Sequence, residues 1–318
     1  MTLMTRRSTT LWALGAAVAL LLAGCGDDPA TPSGGGGGGG GGNELDGADL
    51  TVGAKEFTES KVLAQITAQV LANAGATIDD SSLSGSATVR EALVAGEIDM
   101  YWEYTGTGWV NILGNDTTDV PEDLFAAVSE ADATENMVAW LPQAPMNDTY
   151  AIAVKKDFAD ENGLETMSDA ATYINDNAAE GTVCAASEFI NRDDGLPGVE
   201  ESYGLTFSDV VEVDLGLIYT QLGDSCNFGE VFSTDGRVVA NDLLVLEDDN
   251  AFFVPYNAAL TLRQETLDEF PAIEELMAPV SEALTNEEIT QLNASVDVDG
   301  ETEEDVAQTW LEDNGFLD

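Results

Sequence analysis

The sequence holds no histidine among its 318 residues, and only ten lysines and arginines against sixty aspartates and glutamates. Without histidine there can be no Ser-His-Asp triad, no His-assisted cysteine nucleophile and no His-rich metal site. A formal charge of −50 repels phosphate backbones and excludes nucleic acid as a partner. No glycine spacing matches a phosphate-binding loop, and nine consecutive glycines from Gly34 to Gly42 are not one. Asp297-Val298-Asp299-Gly300-Glu301 resembles a calcium loop only loosely, because its glycine falls fourth where an EF-hand needs it sixth. Carboxylates are so numerous that no pair of them identifies a glycosidase. Nothing therefore points to an enzyme, a metal or a cofactor. What is present is a 44% apolar content, too high for a solvated acidic tail and enough for a core.

Beyond its beginning the chain has no apolar stretch long enough to span a membrane. Residues 1–24 have the pattern of an export signal: Arg6 and Arg7 as the positive head, then an apolar run from Leu11 to Leu22 of about a dozen residues. The paired arginines hint at twin-arginine export. The run ends in Leu22-Ala23-Gly24-Cys25, which resembles the lipobox of prokaryotic lipoproteins. That resemblance implies cleavage before Cys25 and a lipid anchor on it, with the protein on the outer face of the cytoplasmic membrane. From Cys25 to Gly47 a Pro/Thr/Ser stretch and the glycine run make a flexible tether with a reach of roughly 25–30 Å. Cys184 and Cys226 remain as an even pair in an exported chain, compatible with a disulfide or with two separate buried thiols.

From Ala48 onward, short apolar runs alternate with helical patterns, the signature of an α/β fold with largely parallel sheets. Strands are expected at Leu50–Gly53, Ile98–Trp102, Tyr150–Val154 and Gly181–Ala185, with more β material at Asp209–Val213 and Arg237–Leu246. Val62, Leu63, Ile66, Val70 and Leu71 share one face of a helix over Glu59–Ala74, which Thr58 can cap. A second helix is expected over Ala87–Gly96, and the end of the chain, from Leu267 to Leu317, reads as helical.

Of seven tyrosines, Tyr104, Tyr150, Tyr219 and Tyr256 each fall at a strand end or helix start, where α/β folds place their ligand crevice. An ordered series of motifs runs through the same region. It begins with Val52-Gly53-Ala54-Lys55-Glu56-Phe57-Thr58-Glu59 and Tyr101-Trp102-Glu103-Tyr104-Thr105-Gly106-Thr107. Asn147-Asp148-Thr149-Tyr150, Arg192-Asp193-Asp194-Gly195-Leu196-Pro197-Gly198 and Asp214-Leu215-Gly216-Leu217-Ile218-Tyr219 follow. Phe232-Ser233-Thr234-Asp235-Gly236-Arg237 and Phe253-Val254-Pro255-Tyr256 complete it. This series resembles the substrate-binding proteins of glycine betaine/carnitine/choline ABC transporters.

The resemblance implies a bilobal periplasmic-binding-protein fold of type II, two α/β lobes joined by a two-segment hinge. Lobe 1 would be residues 48–148 plus 257–318 and lobe 2 residues 149–256. It also implies a receptor that captures a quaternary-ammonium solute in an aromatic box and delivers it to an ABC permease. A quaternary ammonium has no N–H, so aromatic faces are the natural means of holding it. By motif the box would be Tyr104, Tyr150, Tyr219 and Tyr256, while Arg192 and Thr107 would take the ligand carboxylate. Choline, which lacks a carboxylate, and carnitine are alternatives within the class; a lipid-anchored hydrolase and a partner-binding surface protein are alternatives outside it. The family expectation is a monomer. The chain departs from the family pattern at Ser60, where an amide is common, and at Ser86-Ala87, where Gly-Gly is common. All sixty acids follow Cys25, a surface suited to concentrated salt and to a cell that needs osmolytes.

Overall fold

The computed structural model describes residues 43–317. Cys25, the glycine run and the apolar leader lie outside the described residues. Ten strands form two five-stranded sheets. The first contains β1 (Asp49–Ala54), β2 (Thr77–Ser82), β3 (Met100–Tyr104), β4 (Val138–Trp140) and β10 (Ala258–Arg263), in the order β2-β1-β3-β10-β4. The second contains β5 (Tyr150–Lys155), β6 (Thr182–Ala185), β7 (Asp209–Glu212), β8 (Phe228–Phe232) and β9 (Leu243–Val245), in the order β7-β6-β8-β5-β9.

The expectation of largely parallel sheets is corrected. In each sheet two neighbouring pairs are parallel and two are antiparallel. The reason is topological. The chain passes from the first sheet to the second before β5 and returns before β10, and each arriving strand runs against its new neighbours. The two passing segments touch one another: Asn147 pairs with Asn257 in an isolated antiparallel bridge, and Asp148 N–H donates to Tyr256 O at 3.1 Å.

The helix α1 (Thr58–Asn73) buries Val62, Leu63, Ile66, Val70 and Leu71, the face its periodicity indicates. Thr58 does not cap it. Phe57 occupies the N-cap position, and the Thr58 hydroxyl instead donates to Asp297 Oδ1 at 2.7 Å. The next helix, α2 (Ser86–Ala95), ends at Gly96, whose φ of 76° suits glycine because a left-handed C-cap clashes with a Cβ. The stretch Arg237–Leu246, expected as β material, is a short helix over Arg237–Ala240 followed by β9. The C-terminal part is helical from Gln264 to Asp313 with short breaks.

Cys184 of β6 and Cys226, two residues ahead of β8, are bonded, with Cα atoms 5.7 Å apart, beside the buried Tyr219 and Ile218. Among the described residues no helix is long and apolar enough to cross a membrane.

Candidate functional site

Between the two halves lies a cavity of about 1030 Å³. The carboxyl end of β3 brings Tyr104 to it, the start of β5 brings Tyr150, the end of β8 brings Phe232, and the returning segment before β10 brings Tyr256. Phe57, just ahead of α1, completes the wall. The rings touch in sequence. Phe57 stands 6.1 Å from Tyr104 and 5.2 Å from Phe232, and Tyr150 lies 5.0 Å from Phe232. Tyr150 meets Tyr256 edge-on at 5.5 Å and 89°. Gly106 makes room for this arrangement, since a Cβ there would come within 2.5 Å of the Tyr256 ring.

Each phenol of this wall is anchored at its far end. Tyr104 donates to Glu59 Oε1 at 2.8 Å and Tyr256 to Asp194 Oδ2 at 2.6 Å, while Tyr150 accepts from Arg192 Nη1 at 3.3 Å. Burial pushes all three phenols well above their ordinary range, so they remain neutral. Rings fixed at both ends present their faces without losing rotamer freedom on binding.

The fourth expected tyrosine is placed differently. Tyr219 is fully buried and does not line the cavity; the Arg237 guanidinium covers its ring at 4.3 Å. Arg237 itself lines the cavity, chelated by Asp235 through Nε at 2.9 Å and Nη2 at 2.5 Å, and it reaches Asp297 at 3.3 Å.

Thr107 lines the cavity, but Arg192 lies behind it with its donors engaged. Nε and Nη2 hold Asp194 at 2.8 and 2.6 Å, Nη1 meets Glu188 at 2.7 Å and Tyr150 at 3.3 Å, and Nη2 also reaches Thr107 Oγ1 at 3.3 Å. A guanidinium has five N–H groups, and these contacts use all five.

Several polar links cross from one half to the other around the cavity. Glu188 accepts from Ser86 N at 3.0 Å and from Ser86 Oγ at 2.8 Å, and Asn111 Nδ2 donates to Asp194 at 3.1 Å. Ser86 thus has a bridging role, whereas Ser60 is buried, accepts from Lys55 N and does not line the cavity.

Beneath Tyr104, Thr234 joins two buried carboxyls. Its hydroxyl oxygen lies 2.6 Å from Glu59 Oε2 and 2.7 Å from Asp148 Oδ1. One hydroxyl has one proton, so one of the two carboxyls must be protonated to make both contacts. Burial raises both groups above the usual carboxyl range, and for Asp148 the neighbouring Glu59 adds to it.

The sequence reading did not assign Phe57, Phe232, Glu188, Glu230 or Arg237 to the site. Phe57 and Phe232 stand inside the Phe57-Thr58-Glu59 and Phe232-Ser233-Thr234-Asp235-Gly236-Arg237 motifs, and an aromatic beside a strand end is the signal that marks them.

A family model described as the substrate binding domain of the ABC-type glycine betaine transport system matches residues 48–313. The chain belongs to this family. A glycine-betaine-binding protein of Pseudomonas aeruginosa is 34% identical over 277 residues, 85% of this chain and 89% of that one. The solved structure of apo YehZ from Escherichia coli is 31% identical, with a TM-score of 0.63 over 85% of this chain and 99% of that one. An ergothioneine transport permease/ergothioneine binding protein, EgtU, of Helicobacter pylori is 30% identical over 86% of this chain, which spans 49% of that relative. The shared architecture is the type II periplasmic-binding-protein fold, two α/β lobes joined by a two-segment hinge. The protein is thus a substrate-binding component of an osmoprotectant ABC transporter, an extracytoplasmic receptor and not an enzyme.

Proposed function

We propose that the cleft captures a quaternary-ammonium compatible solute, glycine betaine or a close relative, and that the closed protein hands it to an ABC permease. The observation that carries this reading is the convergence of Phe57, Tyr104, Tyr150, Phe232 and Tyr256 on one cavity between the lobes. Each desolvated cation–π contact contributes about 0.5–2 kcal/mol, and several such faces acting together select a cation that cannot donate a hydrogen bond. The chain's own cations already seek these faces: Lys55 Nζ lies 5.1 Å from the Tyr104 centroid and Arg192 Cζ 5.2 Å from that of Tyr150.

In this reading residues 48–148 and 257–318 form lobe 1, residues 149–256 form lobe 2, and ligand touching both favours the closed state. Tyr219 joins the box only when Arg237 leaves its face. Arg192 serves a ligand carboxylate only when Glu188 or Thr107 releases an N–H, while Thr107 already faces the cavity. That engagement of Arg192 favours choline as the second reading, since choline has no carboxylate to place; carnitine stays in the same class. Cys25 carries the lipid, the tether holds a monomeric receptor at the outer face of the membrane, and the acidic surface suits a salt-rich habitat.

The test is calorimetry of the soluble domain against glycine betaine, carnitine, proline betaine and choline at low and high salt. Binding of at least one is expected, with Tyr104→Ala weakening it more than tenfold while unfolding stays cooperative. Absence of heat with all four overturns the reading.

A further inference from the structure

Glu230 lies in the middle of β8, opposite Ile152 of β5, and two residues before Phe232. Residues two apart on a strand share a face, so Glu230 stands beside the aromatic wall at a distance of about 7 Å along the strand. Its side chain lines the cavity although the residue is only 1% exposed. Oε2 accepts from Ala186 N at 2.7 Å. No donor among the described residues meets Oε1, and Glu230 is one of the residues that line the cavity. Two of the nearby cations, Arg192 and Lys55, are committed elsewhere. Arg192 has used its five N–H groups, and Lys55 Nζ is bound to Glu103 at 2.5 Å. A buried carboxyl with no cationic partner is more stable with its proton than without it. Because Oε2 is occupied as an acceptor, the proton belongs on Oε1.

We propose that Glu230 contacts the ligand directly, as a protonated acid whose Oε1–H donates to the carboxylate of a betaine held against the aromatic wall. The proposal rests on the quaternary-ammonium reading of the cleft and identifies what holds the other end of the ligand. No proton is transferred; the O–H stays on Glu230 and the ligand carboxylate accepts. The titratable and charged groups around Glu230 are Tyr150 on β5, Glu188 on the helix over Ser187–Asn191, and Arg192 just beyond it. Burial is the main influence on the carboxyl; Glu188 raises it further, and the Ala186 amide and Arg192 work against it, leaving it at about 8. Lys55, Lys61 and Arg237 are the remaining cations on the cavity wall.

The experiment is calorimetry of the soluble domain at pH 6 and pH 9 with glycine betaine and with choline, on wild type, Glu230→Gln and Glu230→Ala. With the carboxyl at about 8, wild type should bind glycine betaine about tenfold more weakly at pH 9 than at pH 6. Choline should show no such loss. Glu230→Gln, which keeps a donor, should bind betaine at both pH values with no pH response, and Glu230→Ala should bind it weakly at both. Equal pH responses for the two ligands, or a Glu230→Gln variant that keeps the wild-type pH response, overturn the proposal while the solute reading stands. No binding of either ligand by wild type overturns the proposal, and the solute reading falls with it when carnitine and proline betaine give no heat either.

Discussion

Replacing Glu230 by glutamine should change how the ligand-free protein's stability depends on pH. The carboxyl has an ordinary value of 4.5 in an unfolded chain and about 8 in the folded one, because burial disfavours its charge. Between those values the folded state holds a proton that the unfolded state has released. Stability from this group is therefore fully present below pH 4.5 and is lost as pH rises through 8. Each tenfold change in proton affinity corresponds to about 1.4 kcal/mol, so the complete loss has an upper value of about 5 kcal/mol. Glu59 and Asp148 are raised too, and their contributions fall with pH in the same sense. They are common to both proteins, so the difference between wild type and Glu230→Gln isolates Glu230. Urea unfolding at intervals from pH 5 to pH 9, at constant ionic strength, gives that difference directly. Wild type should lose several kcal/mol relative to the variant across the range, nearly all of it between pH 5 and pH 8. A difference that stays flat within about 0.5 kcal/mol would refute the argument, because it would mean that Glu230 is ionised at every pH tested.

Two further outcomes follow from the same structure. Asp194 accepts from Arg192, Tyr256 and Asn111 together, so Asp194→Ala strands a buried guanidinium and should lower stability by about 3–5 kcal/mol in denaturant titration; a loss below 1 kcal/mol would show that Glu188 alone satisfies Arg192. Cys184 and Cys226 close a loop with a sequence separation of 42, and chain entropy puts the contribution of such a crosslink at about 4 kcal/mol. The Cys184→Ala/Cys226→Ala double variant should show a loss of that order by urea unfolding, and an unchanged midpoint would argue against the bond.

Periodic elements were legible in the sequence because their pattern is local. The buried stripe of α1 and the strands at Asp49–Ala54, Tyr150–Lys155 and Thr182–Ala185 lie close to where apolar spacing puts them. Strand β8 was not read, and its composition shows why: Gly229 and Glu230 interrupt the apolar run. The residue that hides the strand is also the one that faces the cleft. Val238 and Val239 favour extended structure, yet the backbone over Arg237–Ala240 forms one helical turn, with Arg237 drawn to Asp235 and the Tyr219 face. The tyrosine positions were legible from strand ends, but which of them are open to the cavity depends on partners from distant segments. Arg237 closes off Tyr219, and Thr107 and Tyr150 arrive at Arg192 from 85 and 42 residues away. Of the partners of Arg192, Glu188 and Asp194 were near enough in sequence to be anticipated, at four residues before and two after.

The return of the chain to the first sheet as β10 sets an order on assembly. The second sheet is drawn from one uninterrupted stretch, Tyr150 to Val245, so every partner it needs is present once that stretch has been made. The first sheet has a gap between β3 and β4 that only β10 fills, through antiparallel pairing with both. Until Arg263 has left the ribosome, β4 has no neighbour in its sheet and Tyr104 has no Ala258 across from it. The N-terminal half, although synthesised first, is the half that is completed last.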